Sequence, residues 1–124
     1  MNEQNPTVSI AIDLKKYRIR LHKPTLHLLG DPDFVQLLVN PTSKVVAIKG
    51  TPLPFSNDSV HRISKKVLKS DNSVEIYSRL FIEKLVEVSE IQKSSHLIVL
   101  TGEIISSESM AVFPLDSISV INGK

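Results

Sequence analysis

The chain has 124 residues, 41% hydrophobic and 23% charged, with a formal net charge of +2 and no cysteine. That is the composition of an ordinary globular domain, and it excludes a disulfide framework, a thiolate metal site and a cysteine nucleophile. No apolar run approaches the ~18 residues of a membrane span, and the opening "MNEQNPT" lacks the basic start and apolar core of a signal peptide, so a soluble cytoplasmic protein with no membrane partner is expected.

Thr7–Leu14 alternates Val8, Ile10, Ile12 and Leu14 with polar or small residues, which predicts a half-buried strand. Tyr17–His22 repeats the period of two at once, so a tight turn around Lys15 and Lys16 joins the two. Pro24 stops that strand and suits the first turn of a helix. "PTLHLLG" is then a short helix ending at Gly30. Phe34–Asn40 and Lys44–Gly50 form a hairpin across Pro41–Ser43. Thr51–Ser59, rich in Pro, Ser and Asn, is a linker. The run from Val60 to Ser70 fits a helix or an irregular strand, with strand favoured. Ser73–Ser78 is a short strand. Arg79–Ile91 is the clearest helix, with Ser78 as N-cap and Leu80, Phe81, Leu85 and Val88 as its apolar stripe. His96–Ile105 and Met110–Leu115 form a second hairpin, and Ser117–Ile121 adds a last alternating run.

The order strand, helix, strand, turn, strand occurs twice. The expected fold class is therefore α+β: two β-α-β-β units, a cryptic duplication, forming antiparallel sheets with one short and one longer helix. The expected divisions are a first unit at 1–50, the linker at 51–59, and a divergent second unit at 60–124 packed on the first as one compact domain. A saddle-shaped sheet with two pseudo-symmetric halves is the alternative architecture.

Charge is uneven. Residues 1–70 carry eleven Lys/Arg and five Asp/Glu, a net of +6, whereas residues 71–124 carry four and eight, a net of −4. The basic residues gather in "KKYRIRLHK". If Tyr17, Ile19 and Leu21 face the core, Arg18, Arg20 and His22 share the outer face. Lys15, Lys16, Arg18, Arg20 and Lys23 then make a contiguous cationic ridge. Side chains two residues apart on a strand lie ~7 Å apart, close to the spacing of successive phosphates on one DNA strand. Such a row suits phosphate contact and, in a groove, base contact. The competing explanation is a solvated face that also blunts an edge strand against aggregation.

"YRIRLHKPTLHLLG", the acidic turn after it, and "FVQLLVN-PTSK-VVAIKG" together resemble the swapped-hairpin domain of AbrB, MazE and SpoVT proteins over Val8 to Gly50. The resemblance implies two intertwined hairpin units and DNA contact through Lys15, Lys16, Arg18, Arg20 and Lys23. The second half would supply the second unit in cis, as in the duplicated MraZ-type arrangement, although it carries Glu75 where the first unit is basic.

Other chemistry is poorly represented. His22, His27, His61 and His96 lack the companions of a metal site. The serines lack a base nearby in sequence, and no glycine-rich phosphate loop is present. An enzyme, a cofactor and a metal are therefore not expected. The expected function is a DNA-binding transcriptional regulator. The alternative is a non-enzymatic protein-interaction module, either antitoxin-like, a phage-type accessory protein or a homodimer, using exposed hairpin edges.

Overall fold

The computed structural model describes residues 6–51, 60–63, 73–91 and 96–121. Most of the expected linker, and the basic run through Lys65, Lys66 and Lys69, lie outside the described residues. Strand β1 is Thr7–Asp13, β2 Arg18–His22, β3 Phe34–Asn40, β4 Val45–Thr51, β5 Val60–Arg62, β6 Ser73–Tyr77, β7 Leu97–Ile105, β8 Met110–Pro114 and β9 Ser119–Ile121. Helix α1 is Lys23–Leu28 and helix α2 is Arg79–Ser89.

The strands other than the three-residue β5 and β9 form where apolar residues alternate. Ile10 and Ile12, Ile19 and Leu21, Val35 and Leu37, Val46 and Ile48, Val74 and Ile76, Ile98 and Leu100, and Ala111 and Phe113 all point into one core. Helix α1 begins with Pro24 in its first turn and stops after six residues. Its end is a Schellman motif: Gly30, at φ +89, donates its N–H to the His27 carbonyl, and Asp31 donates to the Leu26 carbonyl. Helix α2 is capped by Ser78, whose Oγ accepts the Phe81 N–H at 3.3 Å.

The expected class does not hold. There are no two β-α-β-β units with separate sheets. Strands make up 54% of the described residues, in one antiparallel, nearly closed barrel-like sheet with a single substantial helix. Its strand order is β5-β3-β4-β8-β7-β1-β2-β6, with β9 paired to β7. The hairpin β1–β2 sits between β7 and β6, and the hairpin β3–β4 sits between β5 and β8. Strands from the two halves of the chain thus alternate in space. The physical reason is backbone satisfaction: a lone hairpin leaves both outer rows of N–H and C=O groups unpaired, and here the other half's strands pair them. An open saddle is excluded by the same curling toward closure.

Strand β7 organises the centre. One edge pairs with β1 along Thr7↔Glu103 through Asp13↔Leu97. The other edge is shared by β8 at Glu103–Ile105 and β9 at Leu97–Val99. Where β8 departs, the Thr101 N–H donates to Ser117 Oγ at 3.1 Å, and that hydroxyl donates to the Pro114 carbonyl at 2.6 Å. Gly102 lies at this junction, where a Cβ would stand 2.0 Å from the Val112 carbonyl oxygen, so only glycine fits.

Helix α2 leaves β6 at one end of the strand order and packs against β3, next to the other end. It thereby ties the two ends of the sheet together. Its buried residues are Phe81, Ile82 and Leu85, each contributing on the order of 1.5–3 kcal/mol. The expected stripe is shifted: Leu80 is 63% exposed and Val88 only partly buried, while Ile82 takes the inner position. Among the described residues no helix is long and apolar enough to cross a membrane.

Candidate functional site

The β1–β2 turn is built by Asp13. Its Oδ1 accepts the Lys15 and Lys16 N–H groups, each at 3.0 Å, forming an Asx-type turn. Tyr17 then adopts the left-handed conformation, φ 55, and returns the chain to β2. The β3–β4 turn is made the same way, with Asn40 Oδ1 accepting from Thr42 and Ser43 and Lys44 at φ 57. Both Lys15 and Lys16 are exposed at the tip, and neither takes part in an ion pair among the described residues.

The tip is braced from the side. The Tyr17 carbonyl accepts the Ser78 N–H at 3.0 Å, which joins the turn to the β6–α2 junction. The Arg79 guanidinium lies over the Tyr17 ring at 5.5 Å from its centre and bonds Glu83 at 3.0 Å. Beside this contact Tyr77 and Leu80 are 58% and 63% exposed, so the tip adjoins an apolar and aromatic patch.

Arg18 and Arg20 do share the outer face of β2, as expected, but they do not form a free cationic ridge. The β2–β6 register sets Arg20 opposite Glu75 and Arg18 opposite Tyr77. Arg20 reaches Glu75 Oε2 at 2.7 Å, and Arg18 lies 3.8 Å from the same oxygen. Arg18 also reaches Asp13 Oδ2 at 3.4 Å. The Tyr77 hydroxyl donates to Glu75 Oε1 at 3.3 Å. Two guanidiniums are therefore balanced by two carboxylates. The bond from Arg20 holds the Glu75 carboxyl below its usual range; burial opposes the effect, and the Arg18 and Arg20 charges and the Tyr77 hydroxyl add to it.

Lys23 does not belong to this group. It starts α1 at the opposite end of β2, about 17 Å along the strand from Arg18 at ~3.3 Å per residue. There it lines a groove of about 500 Å³ with His22, Pro24 and His27. His27 is paired with Asp31 at 2.9 Å. The sequence-level site thus divides into a lysine tip, a paired arginine strand and a separate groove.

Two functional groups escaped the sequence reading. Asp13 was readable, because Asp or Asn opening a short loop between alternating strands is a turn signal. Glu75 was visible as an outward residue of its strand, but only the β2–β6 pairing places it against the arginines. On β5, the buried His61 Nε2 has no hydrogen-bond partner among the described residues, and burial lowers the pKa of its imidazole. Among the described residues no three His, Asp or Glu side chains converge as a metal site would require. No family model matches the chain, and neither a curated protein nor a solved structure matches it.

Proposed function

We propose that the chain is a non-enzymatic, cytoplasmic protein that binds double-stranded DNA, and regulates transcription, by setting the β1–β2 tip against backbone phosphates. The observation that carries this is the joining of two exposed lysines, in no ion pair among the described residues, to a turn whose backbone is pinned by Asp13. A pinned backbone spares the turn its own ordering cost on contact, and phosphate contact supplies a large share of the affinity in such complexes. The +6 balance of residues 1–70 supports the same reading.

The test is a salt titration on a mixed-sequence duplex. Each phosphate neutralised adds ~0.9 to the steepness of log K against log salt. Lys15→Gln with Lys16→Gln is expected to flatten the slope by ~1.8, about a tenfold smaller loss of affinity between ~50 and ~200 mM salt. Absence of binding by the unaltered protein at ~50 mM salt refutes the proposal.

A second reading, the protein-interaction module, is favoured by Tyr77 and Leu80. Aromatic and arginine side chains around an exposed apolar centre are characteristic of protein interfaces. A stoichiometric partner, or a homodimer, that is lost on Leu80→Asp while DNA binding is unaffected would establish it.

A further inference from the structure

Three donors converge on the Glu75 carboxylate: the Arg20 guanidinium at 2.7 Å, the Arg18 guanidinium at 3.8 Å and the Tyr77 hydroxyl at 3.3 Å. They come from two adjacent strands held in register, Arg18↔Tyr77 and Arg20↔Glu75. Arg20 and Glu75 are 44% and 33% exposed, so solvent, and a phosphate arriving from it, reaches the place where donors and carboxylate meet. A phosphodiester presents two non-bridging oxygens on one centre, the same pair of acceptors that a carboxylate presents, and arginine matches both groups.

We propose that Arg18, Arg20 and the Tyr77 hydroxyl form a site for one backbone phosphate, and that Glu75 occupies it as a resident competitor. This rests on the DNA-binding reading and extends it from the lysine tip onto the strand. The tip is always available. The strand site opens only when a phosphate displaces the carboxylate. Glu75 thus holds affinity down, and a stretch of the surface that reads as neutral is a second phosphate contact. Asp13 keeps its hold on Arg18 from the other side at 3.4 Å, which orients that guanidinium without closing the space beside Arg20.

The experiment measures binding of a mixed-sequence duplex by fluorescence anisotropy across salt, for the full chain and its variants. Glu75→Gln keeps the size of the side chain and removes its charge. It is expected to raise affinity on the order of tenfold and to steepen the salt slope by ~0.9, one further phosphate neutralised. The gain must depend on the donors, so Glu75→Gln combined with Arg18→Gln and Arg20→Gln must show none of it. Glu108→Gln removes an equal charge at the other end of the barrel, on the β7–β8 turn, and must give a clearly smaller gain. Glu75→Ser serves as a second variant should the glutamine variant melt below the unaltered protein.

A gain that persists without the arginines, or is matched by Glu108→Gln, overturns the proposal. So does an unchanged affinity in the Glu75 variants while the unaltered protein still binds, and in that case the lysine tip stands alone. Failure of every variant to bind at low salt refutes the DNA-binding reading itself, and the strand site falls with it.

Discussion

Replacing Asp13 separates the two jobs its carboxylate performs. Asp13→Ala removes the acceptor of the Lys15 and Lys16 N–H groups and the partner of Arg18. Both amides lie at an exposed turn, where water takes over, so each lost bond costs ~0.5–1 kcal/mol. The pair with Arg18 adds at most ~1 kcal/mol. The sum is about 1–3 kcal/mol, which lowers the melting temperature by roughly 4–12 °C in a chain of this size. Asp13→Asn keeps an acceptor oxygen and loses only the charge. Asn40 performs the same service in the β3–β4 turn, with bonds of 3.0 and 3.1 Å to Thr42 and Ser43. Asp13→Asn is therefore expected to cost less than ~1 kcal/mol. Thermal melts followed by circular dichroism, with urea midpoints as a second measure, distinguish the two. Equal losses for the asparagine and alanine variants, or no loss for alanine, would refute the assignment of Asp13 as the turn's organiser.

Leu85 is fully buried, and Leu85→Ala is expected to cost ~2–5 kcal/mol. Leu80→Ala on the same helix is expected to stay within ~0.5 kcal/mol, and similar costs for the two would contradict the orientation of α2. His61 gives a pH dependence. Its folded-state pKa lies below 6.5, so the unfolded chain binds the proton first as pH falls. Stability is then lost as pH drops from 6.5 toward the folded value and levels off below it. His61→Leu is expected to flatten that part of the stability profile; an unchanged profile assigns the loss to other groups.

The elements were legible because alternation and capping are local. Val8 to Leu14, Phe34 to Asn40 and the Ser78 cap all carry their own signals, and the strands other than β5 lie within a residue or two of their expected bounds. Partner choice is not local. Nothing in "YRIRLH" says that β6 will lie beside it, and so nothing says that Arg20 will meet Glu75. Distance along the sequence also misled. Lys23 is close to Arg18 in number, yet an extended strand carries it to the far end of the barrel. For α2, spacings of four and three join Phe81 and Ile82 to Leu85, whereas Leu80 stands five residues from Leu85, so the inner place of Ile82 was legible in the spacing and the expected stripe misassigned it.

Alternation of the two halves in space has a consequence for how the chain is made. Strand β1 finds one neighbour in β2 at once, but its other neighbour is Leu97–Glu103. At ~5–20 residues per second a ribosome needs several seconds or more to deliver that segment. Throughout that interval the first fifty residues hold two hairpins with bare edges and no completed core. Folding must wait for nearly the whole chain, and a truncated product would be exposed to edge-to-edge aggregation rather than forming a smaller stable domain.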